Sequence, residues 1–183
     1  MKKTYLCAAI VASLLSASVM SAEVYHDDKN TVTIGGYIDG AMAGGGDDSL
    51  HPQLVDPQIN FAMTKKVGNG VTVDALAEFG INDRGGKNGV DTRLGSVGIE
   101  HDTYGRAVVG TQWAPTYAVT GVADKPVAFA NDYLTQDYQG ATGSGRADNM
   151  ISYTNKYVIN KSMKVNYGVG FQGSSTYTTG GEY

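Results

Sequence analysis

Thiols are almost absent from this chain of 183 residues: its one cysteine is Cys7. That cysteine lies in an N-terminal stretch built on the three-part plan of a secretory leader. Met1-Lys2-Lys3 is cationic, Leu6 to Leu15 is apolar, and Ser16 to Ala22 is rich in small residues. Cleavage is expected after Ser21, with Ala22 as the alternative, so that residues 1–21 form a signal peptide and the exported chain carries no cysteine. This excludes a disulfide framework, Cys-ligated zinc and thiol catalysis. Charge is scarce as well, at 17% of residues against about 25% in ordinary soluble domains. Loss of Lys2 and Lys3 with the leader takes the net charge from −4 to −6, which excludes a strongly basic nucleic-acid binder. Long hydrophobic runs are missing beyond the leader, and nothing there approaches the roughly 18 apolar residues of a spanning helix. His26, His51 and His101 are isolated and lack the paired spacing of a zinc site. Gly143-Ser144-Gly145 lacks the strand–turn–helix setting of a nucleophile elbow. Neither a metal, a cofactor nor an enzymatic activity is expected.

Glycine and tyrosine are plentiful, at 25 and 12 residues against 4 prolines, a composition that suits many turns and alternating strands. Period-two alternation is the dominant pattern. In Thr31–Met42 the apolar column is Val32, Ile34, Ile38 and Met42, with Thr33, Tyr37 and Asp39 opposite. Val71–Ile81 sets Val71, Val73, Ala75, Ala77, Phe79 and Ile81 against Thr72, Asp74, Leu76, Glu78 and Gly80. Lys161–Gly173 sets Met163, Val165, Tyr167, Val169 and Phe171 against Lys164, Asn166, Gly168, Gly170 and Gln172. Gln58–Lys65 alternates too, and Arg106–Trp113 and Asn149–Tyr157 are weaker copies. In Thr92–Glu100, Leu94 and Val97 fall on opposite columns, as a bulge would cause. About seven strands are expected.

The connections alternate in length. Ala43–Pro57, Asn82–Asp91 and Ala114–Asp148 are long. Gly68-Asn69-Gly70, His101–Tyr104 and Val158–Asn160 are short, the first being a tight-turn signature. An antiparallel sheet with one plain end and one elaborated end is the plan of an outer-membrane barrel. The apolar columns of the best strands carry no formal charge, whereas the polar columns hold Asp39, Asp74, Glu78 and Lys164. A lipid-facing Lys or Arg at the bilayer midplane costs about 2–4 kcal/mol, so this division suits a barrel around water. A soluble sandwich avoids such charges equally, but columns rich in Gly and Ala fill a packed core poorly. Two readings therefore stand at this point: a barrel, or a secreted or periplasmic β-sandwich that binds ligands with Gly-rich loops. A small outer-membrane barrel acting as adhesin or enzyme is a third, the enzyme version lacking a Ser/His/Asp set.

Several short segments, in order, resemble the N-terminal half of the general Gram-negative outer-membrane porins. They are Ala22-Glu23-Val24-Tyr25, Gly36-Tyr37-Ile38-Asp39-Gly40, Thr92-Arg93-Leu94-Gly95, Val97-Gly98-Ile99 and Tyr104-Gly105-Arg106. The resemblance implies an all-β, antiparallel up-and-down transmembrane barrel of about sixteen strands. It implies a homotrimer in the outer membrane of a Gram-negative cell, passing small hydrophilic solutes and ions by passive diffusion. About half such a barrel is present in residues 22–183, so the sequence reads as truncated, and the 183-residue product alone is expected not to conduct. The resemblance also makes 114–148 the inward loop that narrows the pore. On that basis Asp124, Asp132 and Asp137 form the loop side of the constriction, and Arg93 and Arg146 stand on the wall with Asp39, Asp74 and Glu78. Tyr37 and Gln58 stand where members of the family carry basic residues. Arg106 reads as a rim charge near a short turn, and Trp113, Tyr153 and Tyr167 read as membrane-interface anchors.

Overall fold

The computed structural model describes residues 21–43, 51–82, 89–123 and 145–174. These residues form one eight-stranded antiparallel meander in which each strand pairs with the next in sequence. The strands are β1 (Ala22–His26), β2 (Asn30–Ala43), β3 (His51–Gly68), β4 (Val71–Asn82), β5 (Gly89–His101), β6 (Gly105–Trp113), β7 (Arg146–Asn160) and β8 (Met163–Gln172). All four short connections lie at one end of the sheet, and the long ones lie at the other. Asn69, with φ 52°, is flanked by Gly68 and Gly70 at φ 116° and 74°, the left-handed geometry that a tight hairpin demands. Asp27 makes the β1–β2 turn by accepting the Lys29 and Asn30 amides at 2.8 and 2.6 Å.

Seven of the eight strands match the alternating segments, and β1 is the addition. Five residues without clear alternation carry too little pattern to be read as a strand; pairing with Val32 and Thr31 makes them one. The β3 strand begins at His51, seven residues before the expected Gln58. Pro57 is tolerated because the ladder shifts register between Tyr37–Gln58 and Asp39–Val55, leaving its missing N–H undemanded. The last turn falls at 161–162 instead of Val158–Asn160, where Asn160 Oδ1 accepts the Ser162 amide at 2.9 Å. The irregularity expected in β5 is present but sits at Arg93, skipped between the pairs Glu78–Leu94 and Phe79–Thr92. Leu94 departs from the apolar column because it faces the polar side, where it is only 3% exposed.

The two faces differ as the alternation requires. One carries Met63, Val97, Ile99, Val109, Ile151, Val169 and Phe171, all more than half exposed. Among the described residues no second sheet covers this face, and β1 and β8 are the two edges, so a sandwich core is not formed. Tyr104, Tyr157 and Tyr167 project near the short-turn end, between 47% and 71% exposed. No described helix is long and apolar enough to cross a membrane. The other face is polar, and the chain after β6 turns onto it. There, α1 (Tyr117–Thr120) and a 3-10 turn at Gly121–Ala123 follow Pro115, which seats against the bare backbone of Gly168 and Gly170. A Cβ at either glycine would come within 3.2 Å of the Pro115 ring.

Candidate functional site

The polar face holds its charges in pairs. Tyr37 of β2, Gln58 of β3 and Gly80 of β4 are in register across three strands, and Arg93 lies across Gly80, whose lack of a side chain admits its stem. Arg93 Nε donates to Glu78 Oε1 at 3.1 Å. The Gln58 amide is turned so that its oxygen faces donors, accepting from Arg93 Nη2 and the Tyr37 hydroxyl at 2.9 Å each. Its nitrogen then donates to Glu78 at 3.3 Å. The partners dictate that orientation, since an amide N–H₂ aimed at a guanidinium would leave both unsatisfied. Arg93 and Glu78 are 21% and 14% exposed, so the pair is only partly in contact with water.

A second pair spans a wider gap. Arg106 of β6 reaches over β5 to Asp74 of β4, with Nη2 at 2.5 Å and Nε at 3.3 Å from the two carboxylate oxygens. The strand between contributes Gly98, opposite both Asp74 and Val108 in register. A Cβ there would lie 2.6 Å from Asp74 Oδ1 and 2.8 Å from Arg106 Nη2. Glycine is thus what lets a two-strand bridge close, and the double contact fixes the guanidinium plane.

Beneath the segment that follows β6, the wall is sealed differently. Ser152 donates to Gln112 Oε1 at 2.5 Å, and Gln112 Nε2 donates to the carbonyls of Val108 and Met150 at 3.1 Å each. Every polar atom of this buried set is thereby used, as burial requires. Ala114, Ala147 and Met150 make a small apolar core beside it. The Ala114 amide donates to Gly145 O at 2.8 Å, and Trp113 stacks on Tyr117 with centroids 4.0 Å apart. The ends of the long connection are therefore clamped together and its first turn is laid on the polar face.

The structure brings together some of the residues expected from sequence. Asp74, Glu78 and Arg93 share the polar face, each bonded to an oppositely charged partner. Arg106, read as a rim charge near a short turn, is the second residue of β6 after that turn, opposite Glu100, and it pairs with Asp74 across β5. Asp39 lies in β2 opposite Val55, beyond the register shift. Arg146 opens β7 opposite Trp113, with Ala147 opposite Gln112. Asp124, Asp132 and Asp137 lie outside the described residues, as do residues 1–20 of the leader. Of the two neutral replacements, Gln58 proves to be the hydrogen-bond partner of both Arg93 and Glu78, and the Tyr37 hydroxyl bonds to Gln58. Parity along β2 and β3 was the signal available for them. Tyr153 donates to the Tyr104 carbonyl at 2.6 Å and so ties the outer aromatic group to a short turn.

Comparison with known proteins points the same way. The family model for Gram-negative porin matches residues 7–183. The chain is 24% identical over 179 residues to outer membrane protein F of Serratia marcescens, covering 96% of this chain and 47% of that protein. It is 25% identical over 185 residues to outer membrane porin N of Escherichia coli (strain K12), covering 100% of this chain and 48% of that protein. It is also 25% identical over 174 residues to outer membrane protein U of Vibrio parahaemolyticus, covering 91% and 50% respectively. The chain thus spans about half the length of these relatives. With its apolar columns turned outward and its compensated charges on the opposite face, this all-β sheet is porin-type barrel wall, and the chain belongs to the Gram-negative porin family of the outer membrane.

Proposed function

We propose that the full-length protein forms a water-filled outer-membrane channel through which small hydrophilic solutes and ions diffuse passively, working as a homotrimer after removal of residues 1–21. The observation that carries this reading is the division of one sheet into two solvents. Phe171 and Val169 are 71% and 64% exposed on the apolar face, while Asp74, Glu78, Arg93 and Arg106 are confined to the other. Carbon surface of that extent is stable against acyl chains, and charges at that density need water beside them.

Such a channel requires a constriction and fixed charges, with no nucleophile. The inward turn of 115–123 supports the reading of 114–148 as the narrowing loop. On this reading Asp124, Asp132 and Asp137 supply carboxylates facing Arg93 and Arg146, with Asp39, Asp74 and Glu78 on the wall. Because Arg93 is already compensated by Glu78, the wall adds little net positive charge, and acidic rings favour cations. The channel is therefore cation-preferring. Asp132→Asn in the full-length protein lowers that preference, and an unchanged reversal potential in a planar bilayer removes Asp132 from the constriction. The face assignment has its own test. A bilayer-dissolved photoreagent marks Val73 and Phe171 ahead of Thr72 and Gln172; the reverse order would swap lumen and lipid and end the transport reading.

A further inference from the structure

Toward the short-turn end of the polar face, the wall hollows into a recess of about 880 Å³ under the segment from Pro115 to Val119. Its floor is two adjacent rows across four strands. Glu100 of β5 pairs with Arg106 of β6, and Arg106 with Thr154 of β7. Lys156, two residues further on the same side of β7, pairs with Asn166 of β8. At about 4.8 Å per strand and about 3.3 Å per residue along β7, Glu100 and Lys156 are roughly 12 Å apart at the backbone. Their side chains therefore reach the two ends of a molecule only a few atoms long.

The charges on this floor are not alike. Arg106, which lines the recess, is held through Nε and Nη2 by Asp74, which cancels its charge at long range and leaves Nη1 outside the pairing. Neither Glu100 nor Lys156 forms an ion pair among the described residues. Asp102 of the β5–β6 turn also borders the recess, with its carboxylate beside Gly70; on the floor itself one free anion, Glu100, and one free cation, Lys156, flank a fixed guanidinium. A ligand of single net charge meets attraction at one side and repulsion at the other, whereas a solute carrying both signs meets attraction at both. We infer that this recess is a docking subsite for a small zwitterion of amino-acid or dipeptide size. Its ammonium lies toward Glu100 and its carboxylate between Arg106 and Lys156, with Thr154 and Asn166 bonding the polar remainder. The volume suits such a guest, since concave ligand sites run to about 300–1,000 Å³. The inference rests on the pore reading, because the solute must reach this face through water.

The test is single-channel recording from the full-length protein with glycylglycine as probe. Glycylglycine should produce brief current interruptions whose frequency saturates with concentration, while an uncharged sugar of similar size produces none. Glu100→Gln and Lys156→Gln should each shorten the interruptions about tenfold, the worth of one charge-assisted contact. Lys161→Gln, an equal charge change in the neighbouring turn and outside the recess, should leave them unchanged. A pore that conducts salt without zwitterion interruptions, or one in which Lys161→Gln has the same effect as Lys156→Gln, overturns the subsite alone. A protein that conducts no salt overturns the pore reading and the subsite with it.

Discussion

The polar face of the sheet is two different surfaces. Across β2–β5 it is a lattice of Tyr37, Gln58, Glu78 and Arg93, half-buried and bonded to one another. Across β6–β8, away from the short-turn end, it is nearly featureless: Gly168 and Gly170 offer bare backbone to Pro115, Val108 and Met150 are buried, and Gln112 and Ser152 turn their polarity onto each other. Both columns obey the same alternation, so the pleat alone does not distinguish them. What differs is the neighbour. Where the wall meets water, charges persist and are fixed by partners; where it meets its own chain, small residues make room and every polar atom is used internally.

The seam between the two surfaces is the Asp74–Arg106 bridge, which ties β4 to β6 over Gly98. Breaking it tests the comparison most directly. Gly98→Leu drives a side chain into the far ends of both partners rather than into backbone, so the ion pair yields while the ladder stays. Loss of these charge-assisted bonds costs about 1.5–3 kcal/mol. The temperature at which the folded gel band converts to the unfolded one should fall, and Asp74→Asn should reproduce most of the drop. A Gly98→Leu protein as heat-resistant as the parent would show that the bridge ties nothing together.

The covered surface can be disturbed by itself. In Gly170→Leu the new Cβ meets Pro115 Cδ at 3.2 Å and Met150 Sδ at 3.4 Å, and overpacking of this kind costs about 1–3 kcal/mol. The displaced part is the inward segment, because the sheet beneath is held by its ladder. Open-channel current noise should rise several-fold with cation preference kept. Unaltered noise would mean that Pro115 has no seat there.

On the wet surface the expected effect is smaller. Glu78→Gln leaves Arg93 with the Gln58 oxygen alone and moves the reversal potential toward anions; Arg93→Gln moves it toward cations. Because the two side chains form one hydrogen-bonded unit, their stability losses should not add, and the double variant should recover about 1 kcal/mol of the sum. Strict additivity in the band-conversion temperature would dissolve the unit into independent residues.

Much of this architecture is legible in the alternation. The columns of β2, β4 and β8, the plain and elaborated ends, and the placement of Asp74 and Glu78 follow from parity, which a regular strand preserves residue by residue. Parity fails at bulges. Arg93, which sits in one, lands on the polar face beside Glu78 only because the ladder skips it. The Arg106–Asp74 pair was hidden for another reason. It joins strands that are not neighbours, and nothing in either sequence segment announces that the strand between them carries a glycine at the crossing. β1 escaped notice because five residues hold too few repeats to establish a period.

Two short turns extend the contrast between fixed charge and bare backbone to the sheet's margin. The β3–β4 turn is shaped by Gly68, Asn69 and Gly70 and holds no ionisable group. The β1–β2 turn depends on Asp27, whose carboxylate accepts from the Tyr25 hydroxyl, the Asn30 side chain and the Lys29 and Asn30 amides. The Tyr25 bond, followed by those of Asn30 and Lys29, holds this carboxyl far below its ordinary range. A carboxyl whose pKa is depressed by folding stabilises the turn above its unfolded pKa of about 3.9. That contribution drains away as pH falls further toward the folded value. Protection of the Lys29 and Asn30 amides against hydrogen exchange should therefore decline below about pH 4 while the Asn69 turn holds. Asp27→Asn should remove the decline. Equal acid sensitivity in the two turns would assign the loss to the sheet as a whole, because only one of them contains a group that can titrate.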